Sequence, residues 1–165
     1  MSSQILTSLR INKILKRIAF QVLENNFEAS EICLVGINGQ GHNMARQLKE
    51  LLQDIKPELK VLSWELHIDK TSPKFEDISM DNALDDLRGK AVVVVDDVMN
   101  TGRTQAYAIS YLLKGDPSKL ETAVLVNRQH TKFAVAATYS GISLSTTLDE
   151  HIEVRLENEV GAYLY

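Results

Sequence analysis

Several protein classes are excluded by what this sequence lacks. It has one cysteine, Cys33, so neither a disulfide framework nor a cysteine metal site can form. Its place in the apolar run EICLVGI (31–37) marks it as a small buried hydrophobe. Only three prolines occur in 165 residues, and there are no repeats, low-complexity tracts or linkers, so residues 1–165 read as one domain able to bury one sizeable core. No apolar run approaches the roughly 18 residues of a membrane span, and MSSQILTSLRINKILKR lacks the unbroken apolar centre of a secretory signal. No membrane contact is expected, and the cytoplasm is the expected compartment. An excess of positive charge is also missing: the formal net charge is -4, which argues against a protein devoted to coating nucleic acid. His42 and His67 have no partner ligands at metal spacing, so no metal ion held directly by protein side chains is expected.

What is present alternates between strand and helix. Ile11, Ile14, Leu15, Ile18, Ala19 and Val22 recur at three- and four-residue spacing, placing one apolar stripe on a helix over about residues 4–25. EICLVGI is a short buried strand, followed by the turn Asn38-Gly39-Gln40-Gly41. A second helix then carries Met44, Ala45, Leu48, Leu51, Leu52 and Ile55 on one face, with Pro57 just beyond its end. LKVLSWELHI (59–68) reads as a strand, whereas 69–89 turns polar and reads as a mobile loop with one short helical turn. AVVVV shows no alternation, which implies cover on both faces, as in a parallel sheet. The helix from Arg103 to about Lys114 ends at Gly115, expected as a left-handed cap, with Pro117 two residues on. ETAVLVN (121–127) is another buried strand, and the tail from Ala134 offers only short strand-like pieces. Trp64 and Tyr107 are assigned to packing. The pattern is that of a doubly wound α/β domain with a small appended subdomain.

The stretch VVVVDDVMNTGRT (92–104) carries the chemistry. Ligands of open parallel sheets bind beyond the carboxyl ends of the strands, where Asp96 and Asp97 fall. Two adjacent carboxylates disfavour joint ionisation unless cations or hydroxyl donors balance them, so a sugar diol and a hydrated magnesium ion are their natural occupants. The backbone N–H groups of Met99, Asn100, Thr101, Gly102, Arg103 and Thr104 then open a helix, where free donors and the positive dipole end attract a phosphate. A Walker-type loop is excluded, because its Gly-x-x-x-x-Gly-Lys-Ser/Thr pattern is absent.

These thirteen residues resemble the phosphoribosyl diphosphate (PRPP) signature of the type I phosphoribosyltransferases. KRIAFQVLENN, ICLVGINGQG, ETAVLVNRQH and ATYSGISLST extend the resemblance to about residue 155, towards the branch that combines pyrimidine-operon attenuation with uracil phosphoribosyltransferase activity. The resemblance implies the type I phosphoribosyltransferase fold, a mainly parallel doubly wound sheet with a small irregular hood formed by parts of the C-terminal tail. It implies that Asp96 and Asp97 hold the ribose hydroxyls and that 100–104 holds the 5-phosphate. Ile37, Asn38, Gly39, Gln40 and Gly41 would meet magnesium pyrophosphate, and Arg128 and His130 would lie near the base pocket. The resemblance further implies Mg2+ as cofactor, bound mainly through PRPP, and a homodimer or higher homo-oligomer is expected. The implied activity converts a nucleobase, most simply uracil, to its nucleoside monophosphate with release of pyrophosphate. The alternative is a nucleotide-sensing regulator of pyrimidine genes, of the RNA attenuator type, with little catalysis.

The sequence departs from that branch at informative places. Asn38-Gly39-Gln40-Gly41 stands where those relatives carry Lys-Thr-Arg-Gly, which leaves Lys70 and Lys74 of the loop as the nearby cations for pyrophosphate. Asn100 is a neutral amide where purine-salvage members carry an aspartate, which argues against a 6-oxopurine. Phe20 and Asn25 replace a histidine and an arginine of the RNA-binding relatives, and the tail LDEHIEVRLENEV is acidic. Arg10, Lys13, Lys16 and Arg17 read as a solvated helix face, so RNA binding ranks below catalysis.

Overall fold

The computed structural model describes residues 1–165. Its centre is a six-stranded sheet in the order β4-β3-β2-β5-β6-β7, built from β2 (Glu31–Ile37), β3 (Lys60–His67), β4 (Ser79–Met80), β5 (Ala91–Met99), β6 (Lys119–Asn127) and β7 (Tyr139–Ser143). All neighbours run parallel except the short β4, which returns antiparallel along the end of β3. Helices α1 (Ser8–Asn25) and α2 (Gln40–Ile55) cover one face, and α3 (Arg103–Leu113) covers the other. This arrangement explains the unbroken valine run of β5. Val93 and Val95 pack into the core beneath α1 and α2, while Val92 and Val94 pack with Ala108 and Leu112 of α3. A strand buried on both faces has no polar side to alternate with.

The chain reverses its direction of travel across the sheet at β2 and β5. From β2 it crosses through α2 to β3, and from β5 it crosses through α3 to β6 on the opposite side. A crevice forms where such connections diverge, outside the carboxyl ends of the two strands, and there the turn 37–41 and the Asp96-Asp97 pair come together.

A separate three-stranded antiparallel sheet, β1-β9-β8, makes the hood from β1 (Ser3–Thr7), β8 (Ile152–Arg155) and β9 (Gly161–Leu164). The expected first helix over 4–25 therefore begins later, at Ser8. Thr7 is extended and caps α1, its Oγ1 accepting from the Arg10 N–H at 3.3 Å. Residues 3–7 become strand because β9 pairs with them, Ser3 opposite Leu164 and Thr7 opposite Gly161. The hood thus draws on both ends of the chain, whereas the sequence pointed to the tail alone. No helix is long and apolar enough to cross a membrane.

Two further differences concern local backbone. The excursion 69–89 holds two short 3-10 turns, Phe75–Asp77 and Leu84–Leu87, as well as β4, and is pinned to the core through Ile78 and Leu87. Gly115 is not the left-handed residue after α3; Asp116 takes that conformation, with φ 55°. What requires glycine at 115 is closeness: a Cβ there would meet the carbonyl oxygen of Leu84 and lie 3.0 Å from the Leu87 Cβ. Gly115→Ala is accordingly expected to destabilise the protein by about 1–3 kcal/mol through overpacking, measured by urea unfolding. A stability equal to that of the wild type would show that the 84–87 turn moves aside freely.

Candidate active site

Near its carboxyl end β5 carries the two carboxylates around which the site is built. Asp96 is only 2% exposed, and three donors converge on it. The Lys70 ammonium lies 2.8 Å from Oδ1, the Asp97 N–H donates to Oδ1 at 3.0 Å, and the Gln105 side-chain amide donates to Oδ2 at 3.1 Å. Gly41 of α2 closes the fourth side: a Cβ at that position would stand 2.9 Å from Asp96 Oδ1 and 2.8 Å from the Val95 carbonyl oxygen. Any larger residue at 41 would push the helix off the strand end. Asp97 is more open, with Lys70 Nζ at 3.6 Å from its Oδ1.

Burial first, and then the charge of Asp97, raises the Asp96 pKa well above the ordinary carboxylate value, against the pull of Lys70. For Lys70, burial works to lower the pKa, but the charges of Asp96 and Asp97 outweigh it and the net shift is upward. Three donors with no acceptor fit a carboxylate held against an ammonium.

Beyond the pair the chain turns through Asn100-Thr101-Gly102 into α3. Gly102 sits at φ 85°, and Thr101 Oγ1 accepts from the Arg103 N–H at 3.3 Å. Asn100 to Gln105, the acidic pair and Lys70 line one cavity of about 420 Å³, closed on the hood side by His151 and Ile152. The N-terminus of α3 therefore lies at the wall of a cavity that also holds two carboxylates and an ammonium.

Several expected site residues lie elsewhere. Met99 belongs to β5, buried and paired with Asn127, because the strand runs two residues past the acidic pair. Ile37 is wholly buried at the end of β2. Asn38 bridges strands: its Oδ1 accepts from the Ile68 N–H at 2.9 Å, and its own N–H donates to the Leu66 carbonyl at 2.9 Å. Gln40 Oε1 accepts from the Leu156 N–H at 3.1 Å, tying the turn to the end of the hood strand β8. Gly39 is left-handed, with open space beside it. The turn thus touches the cavity through Gly41 and Asp96 rather than lining it. Lys74 is exposed and also stands outside the cavity.

Arg128 and His130 do not line this cavity, and both are hydrogen-bonded to neighbouring segments. Arg128 is 7% exposed, and its guanidinium donates to Thr146 Oγ1, Asn100 Oδ1 and the carbonyls of Thr147 and Glu150 at 2.6–3.1 Å. His130 Nε2 lies 2.6 Å from the Thr146 carbonyl. Together they staple the segment before β8 to the end of β6 and so place His151 at the cavity.

Sequence reasoning missed Gln105, His151 and Ile152. Gln105 left a trace, being the polar member of the buried α3 face it shares with Ala108 and Leu112; the two hood residues left none. It also missed the grouping of Glu65, His67 and Asp81, whose ligand-type atoms lie within 4.8 Å of one another, with His67 Nε2 2.9 Å from Asp81 Oδ1. Asp81 arrives next to β3 only through the antiparallel return of β4, a contact that spacing along the chain does not reveal. This partly exposed group sits at the sheet edge, outside the cavity.

The phosphoribosyl transferase domain family matches residues 1–157. The chain belongs to the type I phosphoribosyltransferases. Its relatives include the pyrimidine operon regulatory protein of Lactococcus lactis, 32% identical across 96% of this chain and 92% of that protein. The bifunctional protein PyrR of Clostridium perfringens is 31% identical across 95% and 92%. Among solved structures, the hypoxanthine phosphoribosyltransferase of Trypanosoma cruzi superposes with a TM-score of 0.82 at 14% identity, over 98% of this chain and 95% of that one. The hypoxanthine-guanine phosphoribosyltransferase of Bacillus anthracis gives 0.79 at 17%, over 99% and 96%. At that identity the likeness is one of fold, and it agrees with the mainly parallel sheet and hood.

In this phosphoribosyltransferase the balance between Lys70 and Asp96 has a pH signature. A carboxyl whose folded pKa exceeds its unfolded value contributes stability below the unfolded pKa, and that contribution is lost as pH rises through the folded one. Lys70→Met removes the pull opposing burial, so the Asp96 pKa climbs further. The variant's stability deficit relative to wild type should therefore grow as pH rises through the folded Asp96 pKa of the wild type, which lies well above the ordinary carboxylate value of about 4, measured by urea unfolding at pH 5 and pH 8. An equal deficit at both would mean that Lys70 does not set the ionisation of Asp96.

Proposed function

We propose that the protein transfers the ribose 5-phosphate of PRPP to a pyrimidine-type base, uracil in the simplest case, releasing pyrophosphate. The observation that carries this reading is one cavity that places a half-open carboxylate pair beside a helix N-terminus flanked by Thr101 and Thr104. The carboxylates suit a vicinal diol, and the helix start suits a phosphate monoester. The bond from the base nitrogen to the anomeric carbon forms as the bond to pyrophosphate breaks, with its electron pair leaving on pyrophosphate and the proton of the base nitrogen passing to solvent. Such a displacement calls for positioning and charge stabilisation rather than a covalent nucleophile.

Within the pair the roles differ. Asp97, with no close donor besides Lys70, is the freer acceptor for a ribose hydroxyl, while Asp96 anchors the site from beneath. An open carboxylate beside a phosphate site fits magnesium, which takes oxygen ligands and is carried largely by phosphates. Bound with the substrate, magnesium would offset charge on the leaving group. A pyrimidine is favoured over a 6-oxopurine because Asn100 is a neutral amide whose oxygen is already taken by Arg128, and because relatives carry the name pyrimidine operon regulatory protein.

A second reading, a nucleotide-sensing regulator with weak turnover, is favoured by the turn 37–41. Asn38 and Gln40 bring no cation, and their side-chain oxygens are committed to Ile68 and Leu156. Supplying PRPP, magnesium and a panel of bases and measuring pyrophosphate release separates the two. Turnover with uracil supports the enzyme, whereas tight nucleotide binding without release supports the sensor. Asp97→Asn should lower kcat/KM by about ten- to a hundredfold, the loss of one charge-assisted hydrogen bond, with unfolding unchanged. Unaltered kinetics would remove Asp97 from the ribose grip.

A further inference from the structure

We infer that Glu65, His67 and Asp81 form a binding site for a zinc-class divalent ion at the edge of the central sheet, where the ion clasps the two ends of the excursion that follows β3. Strand geometry brings the three side chains together. Glu65 and His67 stand two residues apart on β3 and share the face covered by α2, since Leu66 between them packs on the α3 side. β4 places Ser79 opposite His67 and Met80 opposite Leu66, so the next residue, Asp81, falls beside Glu65 on that same face. The ligand-type atoms of all three lie within 4.8 Å of one another.

An ordinary ion pair does not account for the group. His67 Nε2 meets Asp81 Oδ1 at 2.9 Å, but the partly buried Glu65 carboxylate accepts no hydrogen bond, and His42 Nε2 of α2 stands 4.0 Å from its Oε2. That distance is too long for a hydrogen bond. The other ring nitrogen of His42, Nδ1, is buried without a partner, as is the hydroxyl of Ser63, two residues before Glu65 on the same face. Two imidazoles and two carboxylates therefore stand together with no lysine or arginine bridging them, and the His42 ring is free to complete a coordination shell. Zinc ligands of these types, at about 2.0–2.2 Å from the ion, lie roughly 3.2–3.6 Å from one another. The separations here, 2.9, 4.0 and up to 4.8 Å, are brought to that geometry by side-chain rotation. Imidazole nitrogen selects zinc and its transition-metal neighbours over magnesium. An ion held here ties β3 to the residue just beyond β4, a strand of two residues that pairs with β3 at two positions. His67 and Asp81 are 14 residues apart, and the ion closes that loop, restricting the excursion that carries Lys70. The site lies outside the cavity, so the inference stands independently of the ribose reading.

The test is a titration of Zn2+ alone into the chelator-treated protein by calorimetry, joined to hydrogen exchange of the backbone. One ion per chain with micromolar affinity is expected, and millimolar magnesium should not displace it. His67→Ala and Asp81→Asn, at partly exposed positions where folding is not at risk, should each weaken Zn2+ by about tenfold or more. His151→Ala, on the cavity wall, should leave the affinity unchanged. Zn2+ should slow exchange of residues 68–80 in the wild type and leave it unaltered in His67→Ala. Absence of stoichiometric Zn2+ binding would overturn the inference, and so would binding that survives in His67→Ala and Asp81→Asn but is lost in His151→Ala, which would place the ion in the cavity. Bound zinc that leaves exchange of 68–80 in the wild type unchanged would overturn the clasp.

Discussion

A carboxylate almost fully removed from water is the constraint around which this structure is organised. Burying a charge is tolerated only when donors replace the lost solvent, and Asp96 receives donors from three separate parts of the chain. Lys70 comes from the excursion after β3, Gln105 from the second residue beyond the α3 N-terminus position, and the Asp97 N–H from β5 itself. Gly41 brings α2 against the same oxygen. The relative placement of both helix starts, the excursion and the strand end is thereby referred to one side chain. The open neighbour, Asp97, inherits a fixed position at no additional ordering of its own.

The sequence made the layers and the acidic motif legible because both rest on short-range patterns. Helix stripes at three- and four-residue spacing, a valine run without alternation, and two carboxylates followed by Thr-Gly-Arg-Thr are all visible within a dozen residues. What it concealed depends on distant partners. β1 reads as helix because Ile5 and Leu6 continue the stripe of α1, and only β9, more than 150 residues away in the 165-residue chain, converts them to strand. Arg128 and His130 follow a strand end, where a binding role is natural, yet the loop before β8 folds back and hydrogen-bonds with both side chains. Gly115 looks like a helix terminator, but its small size serves the 84–87 turn.

The turn 37–41 shows how structural duty and chemistry compete for the same atoms. Asn38 joins the ends of β2 and β3, and Gln40 reaches the hood, so the side chains flanking the crevice are used to hold three segments in register. A lysine or arginine in either place would add charge but could not accept the hydrogen bond from Ile68 or Leu156, since neither side chain has an acceptor. The missing cations and the rigidity of the crevice are two sides of one choice of residues, and the proximity of Lys70 follows from it, since Asn38 fixes the backbone from which that lysine extends.

The pairing of β1 with β9 also dictates an order of assembly. During synthesis the central sheet can form from segments that lie near one another along the chain, βαβ unit by βαβ unit. The strand at the beginning must wait unpaired until residues 161–164 have left the ribosome, because non-local pairing can form only after the intervening chain exists. His151 and Ile152 take their places at the cavity with that same hood. The wall that encloses the carboxylates and the helix start therefore depends on the pairing of the two most distant strands of the chain.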